Sequence, residues 1–279
     1  FFTSATPMKS KKRSRQRTLP SCTTTDGKHE RPQKRFFRQR AHCNPLSRSD
    51  GFDYPQTPDD TEFWKSHFNP EWLAKLNDTT TEVYADVGCG FGGLLMNLAS
   101  LYPQSVSIGF EIRQKVTEYV KRRILHLRQE KEETGAYQNV SVLRANAMRY
   151  LPNLFQKGQL SKMFFCFPDP QFKKKNHRRR IISNGLLAEY AYLLRPGGRL
   201  YHITDVPELH EWMENHCKEH PCFRQIPTDE LEEDPAVPCM RVSTEEGQKV
   251  ARGGGNKYYC VYERIADEDA MKSHPLTVQ

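Results

Sequence analysis

No two cysteines in this 279-residue chain stand at the C-x-x-C spacing; the eight fall at 22, 43, 89, 166, 217, 222, 239 and 260. That scatter argues against a zinc site, and no metal is expected. Cys89 sits in a glycine-rich loop, and Cys166 and Cys260 sit in predicted strands. They read as small buried hydrophobes in a reducing compartment. No apolar run approaches the ~18 residues of a membrane helix, so no membrane contact is expected. The opening Phe1-Phe2-Thr3-Ser4 has no methionine and no charged region followed by an apolar core. A secretory signal is not expected, and the chain reads as a fragment or as starting at Met8. Neither a repeat nor an internal breakpoint divides the body, which points to one main domain.

A net positive charge is missing from that body too. Residues 1–40 hold twelve Lys or Arg against two acids, a net of +10, while the rest hold 30 against 32, a net of −2. The chain's net +8 therefore belongs to its tail, and nucleic-acid binding by the folded part has to rest on local patches. Residues 1–35 are polar and basic and are expected to be disordered. Within them, Lys11-Lys12-Arg13-Ser14-Arg15-Gln16-Arg17 reads equally as a nuclear-import signal or phosphate-binding arm, or as a solvated tail. Residues 36–80 carry scattered aromatics and read as an irregular lead-in packing on the main domain. It includes a short helix from Pro70 to Leu76 with Asn69 as N-cap. The main domain spans 81–265, and 266–279 reads as a C-terminal tail.

From Glu82 strands and helices alternate. Strands are predicted at Val83–Val87, Ser105–Ile112, Val140–Arg144, Met163–Phe167 and Arg199–Thr204. Helices are predicted at Leu94–Leu101, Gln114–Lys131, from Asn146 to Phe155, Arg179–Leu194 and Glu208–Glu219. In the second of these Val116, Val120, Ile124 and Leu127 form one apolar stripe. Pro196-Gly197-Gly198 reads as a helix stop, and Phe223–Ile226 and Lys257–Glu263 as a hairpin-like pair. The pattern predicts an α/β fold with a mostly parallel seven-stranded sheet, helices on both faces and an antiparallel last strand.

Gly88-Cys89-Gly90-Phe91-Gly92-Gly93 joins the first strand to its helix in the G-x-G-x-x-G spacing. Alone it is a generic nucleotide signal. Asp86 precedes it, and a carboxylate there repels a pyrophosphate but suits a ligand bearing an ammonium and a sulfonium. Glu111 ends the second strand, where an acid accepts bonds from ribose hydroxyls. Asn146 follows the third strand, placed for an adenine edge. Together they specify S-adenosylmethionine better than a nicotinamide dinucleotide.

The stretch Met163-Phe164-Phe165-Cys166-Phe167-Pro168-Asp169-Pro170-Gln171-Phe172 reads as a buried strand and a proline turn. The prolines bias Phe167 and Asp169 to extended conformations, leaving Asp169 stiffly held past the strand. Lys173, Lys174, Lys175, Arg178, Arg179 and Arg180 follow with no acid among them. A lone carboxylate beside a dense cation run suits a site acting at one point on a polyanion. His177 reads as a surface residue and His202 as a satisfied core or edge histidine.

These motifs, with Gly109-Phe110-Glu111-Ile112-Arg113, Ala145-Asn146-Ala147 and Ser243-Thr244-Glu245-Glu246-Gly247, resemble those of the tRNA (guanine-N7)-methyltransferases in their eukaryotic form. The similarity covers roughly residues 38–265, and the Phe-Pro-Asp-Pro block with its basic continuation is its most specific part. The resemblance implies a Rossmann-like class I methyltransferase that methylates guanosine N7 in the tRNA variable loop. It implies a WD-repeat β-propeller partner, and the expected location is the nucleus, with the cytoplasm as a second site. It places Asp86, Gly88, Gly90, Glu111, Ile112, Arg113, Asn146, Ala147, Cys166, Thr244 and Glu246 at the cofactor, and Asp169 as catalytic. Two positions depart from the family: Gln171 stands where His or Trp is common, and Cys166 where a larger aliphatic residue is common. Read without the resemblance, Ser243-x-x-Glu246 is a helix capping box. The competing functions are a catalytically silent RNA-binding or scaffold subunit and a nicotinamide dehydrogenase.

Overall fold

The computed structural model describes residues 27–40, 43–47 and 51–273. The Lys11–Arg17 run lies outside them. In chain order the elements are α1 (Thr61–Lys65), α2 (Pro70–Asn77), β1 (Val83–Val87), α3 (Gly93–Leu101), β2 (Val106–Glu111) and α4 (Gln114–Glu130). There follow β3 (Val140–Arg144), α5 (Ala147–Leu154), β4 (Leu160–Cys166), α6 (Asn184–Leu193), β5 (Leu194–Thr204) and α7 (Pro207–Glu219). The chain closes with β6 (Phe223–Gln225), α8 (Ala236–Ser243), α9 (Glu245–Arg252), β7 (Tyr258–Arg264) and α10 (Asp267–Ser273).

The seven strands form one sheet in the order β3-β2-β1-β4-β5-β7-β6. The first five run parallel, and β7 pairs antiparallel with both β5 and β6. β1 lies at the centre, and all five of its residues are buried, as a strand covered on both faces requires. One face buries Val83, Ala85, Phe165 and Leu200 against residues of α2, α6 and α7. The other buries Tyr84, Phe164 and Tyr201 against α3 and α8, with a further cluster between α3 and α4. Val116, Val120 and Ile124 of the predicted stripe face inward on α4. Asn69 caps α2 by accepting from Trp72 N, with Pro70 in the first turn.

Several predicted boundaries move, two of them by five residues. The helix expected from Arg179 begins at Asn184, because Lys174–Arg179 winds as a 3₁₀ turn that the Arg180 N–H closes on His177 O at 2.9 Å. Pro196-Gly197-Gly198 does not separate α6 from β5. It lies inside β5, whose pairing with β4 slips in register between Leu160 and Lys162.

The lead-in runs along the sheet's carboxyl rim. Phe37 is buried edge-on against Tyr119 of α4, with ring centres 5.6 Å apart. Gln39 Oε1 accepts from Lys115 N at 2.9 Å, and Pro45 O accepts from Asn146 Nδ2 at 2.5 Å. Tyr54 stacks on Tyr150 of α5 at 3.9 Å.

Candidate active site

The carboxyl ends of β1, β2, β3 and β4 are neighbours in the sheet, so Asp86, Glu111, Asn146 and Asp169 converge on one edge. The crevice beyond strand ends is where open α/β sheets bind ligands. The loop after β1 is folded back by Gly88 N and Cys89 N, which donate to Phe110 O at 2.8 and 3.0 Å. Gly88 holds φ +78°, and a Cβ there would meet nothing within 4 Å. It is needed for its backbone conformation, and the space above it is open to a ligand. Gly93 serves another end: a Cβ on it would sit 2.1 Å from Ser243 O, so it lets α3 press against the α8–α9 junction.

Asp86 is 2% exposed, and its Oδ2 has no hydrogen-bond partner among the described residues. Burial, then the charges of Glu111 and Glu245, push its carboxyl up to about 7, against a bond from the Leu95 backbone. A buried carboxylate oxygen left without a donor is rare and calls for a partner. Three acids around an open glycine loop make a pocket that repels a pyrophosphate and attracts a cationic ligand. Glu111, 3% exposed, is gripped by Arg113 through Nε at 3.0 Å, Nη2 at 2.8 Å and the backbone N at 2.9 Å. These bonds fix the carboxylate's plane and take three of its about four acceptor positions, leaving about one for the ribose hydroxyl edge. Ile112 lies half-buried between them.

Asn146 is placed at the third strand end, and its side chain serves the fold. Oδ1 caps α5 through Met148 N at 3.2 Å, and Nδ2 holds Pro45 O. Ala147 opens α5 and is buried. Cys166 closes β4, half-buried, with its thiol pushed up by burial. Gly90, at φ +55°, lies with its Cβ direction 3.9 Å from Arg113 Nη2.

The Phe167–Gln171 turn departs from the expected geometry. Phe167 and Gln171 both take φ +51°, the left-handed region that costs a non-glycine residue about 1–3 kcal/mol. Phe167 was expected to be extended before proline. Its N–H is instead locked on Ile203 O at 2.8 Å, and its ring packs against Gly247. Between the two strained residues Asp169 is half-buried, with Oδ1 accepting from Gln171 N at 3.3 Å.

The basic run divides by 3₁₀ periodicity, in which residues three apart share an edge. Lys173, Lys174, Lys175 and Arg178 are exposed, and Arg179 is half-buried. Arg180 corrects the expectation that it meets phosphate. It is 2% exposed, donates through Nε to Pro170 O at 2.9 Å and through Nη2 to Glu208 at 2.7 Å, and stacks over Trp212. Its position on the inner edge, three residues after His177, turns it toward α7. It clamps the Asp169 turn to the start of that helix. His177 also faces inward, 3.7 Å from Glu208.

At the α8–α9 junction Thr244, not Ser243, is the cap, accepting from Gly247 N at 3.0 Å. Ser243 ends α8, where its Oγ accepts from Asn97 Nδ2 at 2.6 Å. Glu246 points outward to Lys249 at 2.8 Å. Glu245, named in the sequence only within the Ser243–Gly247 block, acts on Asp86 after Glu111, and Lys34, just ahead of the lead-in, pairs with it at 2.6 Å. The signal available was weak: Glu245 stands at the first position of a helix, one of two adjacent acids.

The family model described as "Putative methyltransferase" matches residues 80–260. A tRNA (guanine-N(7)-)-methyltransferase of Arabidopsis thaliana is 55% identical over 236 residues, covering 84% of this chain and 92% of the relative. The enzyme of the same name from Caenorhabditis elegans is 50% identical over 246 residues, covering 88% and 92%. That from Oryza sativa subsp. japonica is 52% identical over 242 residues, covering 84% and 92%. Likeness of this depth spans both the glycine-loop pocket and the Asp169 turn, and the chain belongs to the tRNA (guanine-N7)-methyltransferase family.

Proposed function

We propose that the protein transfers a methyl group from S-adenosylmethionine to N7 of a guanosine in the variable loop of tRNA. The observation that carries this is the pairing of two environments on one sheet edge. A buried acidic pocket around Asp86 suits the cationic donor, and next to it Asp169 is held between strained residues beside exposed Lys173, Lys174 and Lys175. Asp86 faces the ammonium, Glu111 the ribose hydroxyls, and the Gly88–Gly90 backbone lies close along the ligand. Bound there, S-adenosylmethionine supplies an electrophilic methyl on its sulfonium.

Guanine N7 has a lone pair and no proton, so no general base is needed and the protein's work is positioning and electrostatics. Asp169 accepts hydrogen bonds from the guanine N1–H and N2–H₂ edge, which selects guanine over adenine and balances the positive charge the base gains. Lys173, Lys174, Lys175 and Arg178 hold phosphates and supply affinity without sequence information. A WD-repeat β-propeller partner and a nuclear site of action belong to the same proposal. The test is transfer of labelled methyl to an unmodified tRNA transcript, with and without the partner, mapped by borohydride and aniline cleavage. A single cut in the variable loop is expected. Absence of transfer with the partner present, despite cofactor and tRNA binding, refutes it.

A further inference from the structure

Under α7, on the β5–β7 side of the sheet, three metal-ligating side chains meet and a fourth, His202, stands beside them. His202 stands opposite Cys260 in the β5–β7 register, and directly paired residues project from the same face of a sheet. That face receives α7, whose Leu209, Met213 and Cys217 share a core with Leu200 and Tyr262. His210 and Glu214 lie one turn apart on α7, and residues four apart share a helix face. One ligating atom from each of His210, Glu214 and Cys260 lies within 4.8 Å of the others, and Cys260 Sγ is 3.8 Å from Glu214 Oε1. The His202 ring centre is 5.8 Å from that of His210.

A second observation comes from the imidazoles. His202 is fully buried, and among the described residues neither of its ring nitrogens has a hydrogen-bond partner; His210 Nδ1 is also buried without one. Three orphaned imidazole nitrogens beside a thiol and a carboxylate are unusual for a packed interior, where polar atoms are nearly always satisfied by protein, water or an ion. We propose that His210, Glu214 and Cys260, with His202 as the adjoining fourth group, bind one divalent cation of the zinc class. Two imidazoles, a thiolate and a carboxylate form the mixed N, S and O donor set that suits a borderline-soft, tetrahedral ion.

The surrounding groups are compatible with this. A thiol binds a metal as its thiolate, so loading displaces the Cys260 proton to solvent as the metal–sulfur bond forms. The two charges of the ion are then balanced by one thiolate and one carboxylate. Lys218 holds Glu214 Oε1 at 2.9 Å, and a carboxylate offers a second oxygen. Gln225 Nε2, 3.4 Å from Cys260 Sγ, is placed to donate to a thiolate. The bound ion would pin α7 to β5 and β7, a tertiary staple distinct from the residues assigned to methyl transfer.

The test uses the full chain, stripped with a chelator and titrated with Co²⁺. One equivalent is expected, with a thiolate-to-cobalt charge-transfer band and the intense d–d bands of tetrahedral cobalt. Zn²⁺ should bleach both, and loading of the stripped protein with Zn²⁺ should release one proton per chain. Cys260→Ala, a small change checked for folding by circular dichroism, should abolish the charge-transfer band. His210→Ala should abolish stoichiometric binding. A wild-type protein that gives no charge-transfer band, or a band that persists in Cys260→Ala, overturns the proposal.

Discussion

Replacing Asp86 with Asn should make the ligand-free protein more stable and less able to bind its cofactor. The carboxyl is buried, and burial with Glu111 and Glu245 nearby lifts it from 3.8 to about 7. Between those two values the folded chain keeps a proton that the unfolded chain has released. The folded state then binds more protons, so this group's contribution to stability falls as pH rises. It is fully present below about 4 and lost by the time pH passes about 7. About three pKa units at 1.36 kcal/mol each set the loss at about 4 kcal/mol, an order-of-magnitude figure. Asn preserves the shape and the acceptor for Leu95 N–H but does not titrate. Urea unfolding of both proteins at several pH values from 4 to 8 should give curves that diverge with pH, the variant gaining by up to about 4 kcal/mol at pH 8. In the wild type, cofactor affinity should rise toward pH 7, because Asp86 must ionise to face an ammonium. The variant should lose both that slope and most of the affinity. Parallel stability curves for the two proteins would refute the argument that burial strains this carboxylate.

Arg180→Met should cost about 2–4 kcal/mol of stability, from a charge-assisted hydrogen bond and a cation–π contact. It should lower kcat for methyl transfer about tenfold or more through the loosened Asp169 turn. The salt dependence of tRNA binding should not change; a slope smaller by about one would return Arg180 to the phosphate-binding set. Asp169→Ala should reduce methyl transfer about 100-fold or more while leaving cofactor affinity intact, and equal loss of both in calorimetry and turnover would contradict its assignment to the base. Lys173→Glu combined with Lys175→Glu should raise the tRNA Kd and flatten the salt slope by about two. An unchanged slope in filter binding would make this run a solvated surface.

The sheet and the pocket were legible because they rest on local signals. Each strand and helix carries its own period, and alternation alone puts the ends of successive parallel strands on one edge. Asp86, Glu111 and Asn146 could therefore be placed together from their positions in the chain. The basic run was not legible residue by residue. Six cations look equivalent in sequence, and which of them turns inward depends on a 3₁₀ period and on Glu208 and Trp212, about 30 positions further along. Ser243 and Thr244 were equally eligible caps by type. What decided between them was the approach of Gly93 to Ser243 O and of Asn97 to the Ser243 hydroxyl. His202 was expected to be a satisfied histidine and has no partner at either nitrogen among the described residues; its surroundings were not legible because Cys260 and His210 come from another strand and from a helix.

The Asp169 turn shows why the motif alone could not give the site. Pro168 and Pro170 restrict the backbone on either side of Asp169, and restriction by proline favours extended neighbours. Phe167 and Gln171 instead occupy the left-handed region. Such strain persists only where surrounding structure over-determines it. Here the restraints are Ile203 O on the Phe167 N–H, packing of the Phe167 ring against Gly247, and Arg180 on Pro170 O. They arrive from β5, α9 and the end of the 3₁₀ turn. The same five residues excised from this setting would relax toward the extended form, and Asp169 would lose its fixed direction. The placement of the Asp169 carboxylate is thus a property of the folded domain, and changes at Arg180 or Gly247 should act on it without touching substrate.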